Sequence, residues 1–242
     1  MYGRIVKAIR ARGLHALTIL AVLVPSAARA HKDDYLTDTF VFVTLDRNEA
    51  EIEYFLDGRF SPRGLGHRLG LEYGITDHLM GDVAASWLQY SGGPAVFSEG
   101  FLEVRYRFGE ENQHLLDPAG SLEYRVERDP ADGEKRHLLE PRLVLNKDFG
   151  DYNVTLNLAY AIDLEKPKES APEIALGLRS PAFGPLRAGL EVRRELATEN
   201  VFDVIPQAWL RFSEDAYVKI GVGKNLAAGR ESFVRVALEM EF

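Results

Sequence analysis

Tyr152-Asn153-Val154-Thr155-Leu156-Asn157-Leu158-Ala159-Tyr160-Ala161-Ile162-Asp163 alternates between large apolar side chains and small or polar ones. Period two is the pattern of a β-strand, whose successive side chains point to opposite faces. One face carries Tyr152, Val154, Leu156, Leu158, Tyr160 and Ile162; the other carries Asn153, Thr155, Asn157, Ala159, Ala161 and Asp163. The segment exceeds the roughly five or six residues of an ordinary soluble strand. It suits the roughly nine to eleven residues that a tilted strand needs to cross a bilayer.

Working outward, Leu102, Val104, Tyr106 and Phe108 alternate with Glu103, Arg105 and Arg107, and Leu122, Tyr124 and Val126 with Glu123, Arg125 and Glu127. The same test predicts about twelve strands, near residues 50–60, 66–76, 79–90, 99–108, 119–128, 137–147, 151–163, 172–180, 185–196, 202–212, 216–223 and 232–242. Their connections alternate in length, as in barrels with short periplasmic turns and longer external loops. Residues 109–118 break the alternation and are expected to carry a short helical turn.

The last segment is the sharpest. Val234, Val236, Leu238, Met240 and Phe242 alternate with Arg235, Ala237, Glu239 and Glu241. Ending on an aromatic residue, it resembles the C-terminal strand signature of bacterial outer-membrane proteins, which that class presents to the barrel-assembly machinery. A soluble edge strand is the competing reading.

At the other end, Arg4, Lys7, Arg10 and Arg12 precede an apolar run over residues 16–24 and then Ala28-Arg29-Ala30. That order reads as an export signal cleaved before His31. The run is too short for a helical span of about twenty residues. The expected domains are a signal peptide over residues 1–30, an N-terminal segment over 31–49, and a β-barrel over 50–242. Phe40, Val41, Phe42, Val43 and Leu45 make the middle segment apolar on both faces. It is expected to be a plug or a periplasmic-side strand tucked against the lumen; the alternative is an extension of the first strand through a bulge at 46–49.

The fold class is therefore all-β: a transmembrane antiparallel up-and-down β-barrel of about twelve strands, preceded by a cleaved signal peptide, in the outer membrane of a Gram-negative cell. The chain of 242 residues has a formal net charge of −8, and its first thirty residues hold five basic side chains and no acidic one. The remainder is thus more acidic still, which argues against nucleic-acid partners. With no cysteine, disulfide frameworks, thiolate metal sites and cysteine nucleophiles are excluded.

Leu71-Glu72-Tyr73-Gly74-Ile75-Thr76-Asp77-His78, Glu103-Val104-Arg105-Tyr106-Arg107-Phe108, and Asp117-Pro118-Ala119-Gly120 leading into Leu122-Glu123-Tyr124 resemble a family of outer-membrane transporters named after the phenol meta-cleavage pathway. The resemblance covers about half of the mature chain. It implies an outer-membrane barrel whose proposed role is uptake of small, often hydrophobic compounds, and it brings no catalytic residues.

If the apolar faces meet lipid, the lumen receives Glu51, Glu53, Glu103, Arg105, Arg107, Glu123, Arg125, Glu127, Glu140, Arg142, Arg187, Glu191, Arg193, Arg211 and Arg235, together with Asp57, Arg68, Glu72, Asp82, Lys219 and Glu239. Both signs are abundant. Glu103, Arg105 and Arg107 are expected to pair across strands with Glu123, Arg125 and Glu127, because such neighbours lie about 5 Å apart. These charges read either as a salt-bridged filling or as a polar conduit that orients a solute.

The function expected is a monomeric porin or transporter that passes or binds a small solute, with outer-membrane lipid and the barrel-assembly machinery as its other partners. Alternatives are a closed structural or adhesion barrel with partner-binding loops, and a lipid-acting enzyme. Against an enzyme, the chain lacks Gly-x-Ser-x-Gly, and most of its histidines are expected in loops or turns rather than beside a strand serine. No cofactor or metal is expected, although an exposed His31 amino terminus could chelate copper.

Overall fold

The computed structural model describes residues 34–37, 39–60, 63–90, 92–130, 132–196, 201–226 and 232–242. The expected signal peptide and His31 lie outside them. Twelve strands are present: β1 (Ala50–Phe60), β2 (Arg63–Thr76), β3 (Leu79–Tyr90), β4 (Ala95–Arg107), β5 (Asp117–Arg128), β6 (Lys135–Phe149), β7 (Tyr152–Asp163), β8 (Ala171–Arg179), β9 (Leu186–Glu195), β10 (Val201–Ser213), β11 (Ala216–Asn225) and β12 (Ser232–Glu241). Each pairs antiparallel with its sequence neighbour, and β1 pairs with β12 to close the barrel.

Closure joins the two ends of the strand series. Ile52 stands opposite Met240 and Tyr54 opposite Leu238, and Ala50 and Phe242 exchange two backbone hydrogen bonds of 2.9 and 2.8 Å. No edge strand is left, so every strand has a partner on both sides.

The burial pattern distinguishes this barrel from a soluble sandwich. Leu102 is 58% exposed and Val104 44%, while Glu103 and Arg105 between them are 2% and 1% exposed. A soluble core would bury the apolar set; here the apolar side chains form the outer surface and the charges point inward. Among the described residues no helix is long and apolar enough to cross a membrane.

Short turns join even strands to the following odd strand, with glycine in the left-handed region at Gly150 (φ +61°). The long exception, residues 108–116, holds turns and bends but no helix. The expected helical turn is absent there because the segment is shaped by Gly109 (φ +139°) and Asn112 (φ +60°), conformations a helix cannot use. A 3-10 turn, Pro167–Glu169, lies instead in the long β7–β8 loop.

The described residues between 34 and 45 form no strand. Before β1 the chain reverses over 46–49, with Glu49 N–H donating to Asp46 O (3.1 Å) and Asn48 N–H to Gly74 O (2.8 Å). The contact with β2 requires glycine: a Cβ on Gly74 would stand 1.8 Å from Asp46 O. This reversal turns the segment back into the barrel, where Tyr35, Leu36, Val41, Phe42 and Leu45 are all buried. The extended-first-strand reading fails here, since neither ladder of β1 continues below Ala50. Apolar residues on both faces are explained by wall contacts on every side. Tyr35 and Val41 pack on Trp209, Leu36 on Phe55 and Ala237, and Phe42 on Ala119 and Val144.

Candidate functional site: the barrel interior

The register places acidic side chains in one continuous row. Glu241 stands opposite Glu51, Glu51 opposite Glu72, Glu72 opposite Asp82, Asp82 opposite Glu103, Glu103 opposite Glu123, and Glu123 opposite Glu140. All seven side chains are buried in the barrel interior. Because the strands tilt, the row climbs from the short-turn rim at Glu241 and Glu51 towards the long-loop half at Glu123 and Glu140.

The expected cross-strand pairs are therefore corrected. Arg105 faces Ser121, Arg107 faces Ala119, and Glu127 faces Glu99. On β4, β5 and β6 ion pairs run along the strand instead, Arg105 to Glu103 at 3.3 Å, Arg125 to Glu123 at 2.6 Å and Arg142 to Glu140 at 2.5 Å, whereas Arg235 and Asp57, and Arg193 and Asp203, pair directly across neighbouring strands. A diagonal contact joins Arg125 to Glu140 at 3.7 Å. Opposed carboxylates repel, and a guanidinium two residues away on the same face offsets that repulsion while keeping the hydrogen-bonded ladder intact.

The N-terminal segment is held by the wall's side chains. Arg105 Nη1 lies 2.8 Å from Asp34 Oδ2, and Lys219 Nζ donates to Asp34 O at 2.6 Å while reaching Glu239 at the same distance. Tyr35 Oη donates to Asn153 Oδ1, Leu36 N–H to Gln207 Oε1, and Phe40 N–H to Asn157 Oδ1. Thr155 and Asn157 donate back to Phe40 O, and Thr37 and Thr39 donate to Glu191. The Phe40 ring lies between Arg105 (3.8 Å) and Arg142 (4.3 Å), each stacked on it as a cation–π pair. Two wall glycines make room: a Cβ on Gly177 would lie 2.4 Å from the Tyr35 ring, and one on Gly221 2.5 Å from Leu36.

Towards the long loops the interior widens into a cavity of about 400 Å³ whose lining includes Arg68, Glu99, Phe101, Arg125, Arg136 and Arg235. A neighbouring cavity of about 260 Å³ shares Asp57, Arg59 and Arg235 and reaches Thr37 of the N-terminal segment. Arg235 binds Asp57 through two nitrogens, at 2.6 and 2.8 Å, and donates to Leu36 O. Arg68 stacks between Phe55 and Phe101 at 5.2 and 4.5 Å. The roof of the segment is thus the floor of the vestibule.

The other predicted positions fall nearer the rims. Arg193 pairs with Asp203 at 3.6 Å. Arg187 and the exposed Arg211 sit beside Trp209 and Tyr217 at the short-turn end. Arg107 reaches Asp46 and Glu110 at 3.8 Å. Val234, Val236, Leu238 and Met240 lie half-buried on the outer face of β12, and Phe242 is exposed at the rim. Ser86 faces the vestibule, whereas His78 contacts Glu110 and Tyr106, His67 bonds Tyr54, and His137 bonds Tyr124.

Charge alone gives no hint of Thr155, Asn157 and Gln207, the neutral groups that grip the segment's backbone, or of Asn153, which holds the Tyr35 hydroxyl. The polar face of the opening strand, with Asn153, Thr155 and Asn157 at period two, was the available signal.

No family model and no curated protein matches the chain. Solved structures do. The COG4313 outer membrane channel from Pseudomonas putida F1 superposes with a TM-score of 0.65 at 11% identity, over 87% of this chain and 100% of that one. The NanC porin gives 0.62 at 9%, over 78% and 98%, and the KdgM porin 0.59 at 13%, over 79% and 99%. The fold is that of the outer-membrane porins. These neighbours are porins and channels; at such identities the likeness extends to the architecture, and the phenol meta-cleavage resemblance is not confirmed by it.

Proposed function

We propose that the chain is an outer-membrane channel that takes a small solute into the vestibule at its long-loop end and passes it through the barrel when residues 34–45 yield. One observation carries this reading: the segment filling the lower lumen is attached by side chains and takes part in no strand ladder. It can therefore shift without opening any strand pair of the barrel, a local rearrangement rather than an unfolding. Segment 34–49 acts as a plug tethered at Ala50, and residues 50–242 form the wall.

The wall's polar lining suits solutes with charged or hydrogen-bonding groups, and the neighbour described as the KdgM porin was also solved with disordered oligogalacturonate. The resemblance to the phenol meta-cleavage family supports instead a small hydrophobic compound, for which Phe55 and Phe101 beside Arg68 offer contact surface. Export, recognition of β12 by the assembly machinery, and function as a monomer complete the reading.

Planar-bilayer recordings on the full chain and on a variant lacking residues 34–45 test it. Higher conductance in the shortened barrel is expected, with liposome swelling to rank solutes. Absence of ion and solute flux in both forms would return the protein to the class of closed scaffolds.

A further inference from the structure

The lipid face of β2 changes character at its long-loop end. Tyr73, Leu71, Leu69 and Leu65 are exposed apolar side chains, and by alternation Arg63 closes the row on the same face. Arg63 lies about ten residues from Tyr73, which at about 3.3 Å per residue and a tilt of about 40° is about 25 Å of height. That is the height of the apolar band around an outer-membrane barrel. Tyr73 Oη donates to Asn48 Oδ1 in the reversal before β1, at the short-turn interface. Arg63 therefore stands at the opposite interface, level with the lipid headgroups.

There a groove of about 790 Å³ opens between the ends of β1, β2 and β3, within the roughly 300–1,000 Å³ of sites that hold small ligands. Gly58, Phe60, Arg63, Leu65 and Gln89 line it, and Arg59 reaches it from the rim. Phe60 is the cross-strand neighbour of Arg63 and is 64% exposed. Gly58 keeps the groove open: a Cβ there would meet only Val234 O, at 3.8 Å, so the position has room for a side chain that it does not carry. The described lining residues include two arginines and no carboxylate, whereas the vestibule is lined by both signs. Among the described residues, no carboxylate forms an ion pair with Arg59 or Arg63. His67, farther down the same face, already has a partner in Tyr54 Oη at 2.8 Å.

We propose that this groove binds a phosphorylated glycolipid of the outer leaflet, lipid A, with a phosphate on Arg63 and an acyl chain laid over Gly58 and Leu65. A guanidinium matches phosphate oxygens in a two-pronged hydrogen bond, and Arg59 adds a second positive charge. The long loops of such barrels face the cell exterior, so the leaflet at this rim is the one that carries phosphorylated glycolipid. Apolar walls beside two guanidiniums suit an amphiphile; free phosphate would leave Phe60 and Leu65 in water. The inference rests on the placement of the barrel in the outer membrane and is independent of whether the lumen conducts.

The test is native mass spectrometry of the purified full chain in detergent, titrated with diphosphoryl lipid A. Saturable binding of one molecule per chain is expected. Its affinity should fall about tenfold or more in Arg63→Gln, which removes the charged donor, and in Gly58→Leu, which fills the groove. It should be unchanged in Lys135→Gln, an exposed cation at the long-loop end of β6. Dephosphorylated lipid A should bind as weakly as the variants do, and inorganic phosphate should not displace the lipid. Heat-modifiable gel mobility reports whether each variant has folded; if Gly58→Leu does not fold, Leu65→Ser, which removes an apolar wall, takes its place. Affinity retained in Arg63→Gln or in the groove variant, lost equally in Lys135→Gln, or indifferent to the lipid's phosphates overturns the proposal, as does displacement by inorganic phosphate or binding that never saturates.

Discussion

Asp34, in the N-terminal segment, and Arg105, on β4, form a 2.8 Å ion pair with side chains only 10% and 1% exposed. Removing one partner of a buried pair costs about 3–5 kcal/mol, because the other charge stays behind; here Glu103 still serves Arg105 and softens the loss. Asp34→Ala should therefore loosen the segment without unfolding the barrel, giving larger single-channel conductance and faster protease cleavage near residue 40. Conductance and cleavage equal to those of the unaltered chain would mean that the remaining hydrogen bonds suffice.

Gly177 and Tyr35 give a steric test. Gly177→Val places branched bulk where even a Cβ would stand 2.4 Å from the ring. Tyr35 must then leave both Asn153 and Trp209, on which it packs edge-on at 5.4 Å. In a Trp87→Phe background, where Trp209 is the remaining tryptophan, its emission is expected to shift to the red. An unshifted spectrum with a folded barrel would show that the segment stays docked.

The row from Glu241 to Glu140 should make the opened lumen prefer cations, since rings of carboxylates set cation selectivity in other pores. In the barrel lacking residues 34–45, a reversal potential on the cation side is expected in a potassium chloride gradient. Glu72→Gln with Asp82→Asn should move it towards zero. Anion preference in the unaltered lumen would contradict this.

The Glu111–Asp148 pair predicts a pH effect on the 108–116 turn. The hydrogen bond to Asp148, then burial and the charge of Asp148, raise the Glu111 carboxyl above its ordinary range, with Asp117 adding to the shift and Arg179 opposing it. A raised carboxyl contributes stability that is fully present below its unfolded pKa and is lost as pH rises through the folded one. Amide exchange in residues 108–116 should therefore be slower at mildly acidic pH than at alkaline pH. Asp148→Asn should remove most of that difference.

Strand positions were legible because bilayer length and period two act on every residue of a strand. Predicted segments such as 79–90 coincide with Leu79–Tyr90, and 50–60 with Ala50–Phe60. Lumen pairing was harder to read. Alternation says that Glu103 and Glu123 both face inward, yet whether Glu103 meets Glu123 or Arg125 depends on a two-residue offset between strands that leaves alternation unchanged. The 108–116 turn was misread because its length suggested a helix while its backbone is set by residues at positive φ.

From the sequence alone came the all-β character, the strand count, the sidedness of each strand and the anomaly of an N-terminal stretch apolar on both faces. These are local properties, written in the order of side chains along the chain. Only the tertiary structure decided that acidic residues from seven strands line up as one rising row and that Asp34 meets Arg105 across 71 residues of chain. Those relations depend on the stagger and closure of the barrel, which are set jointly by all twelve strands.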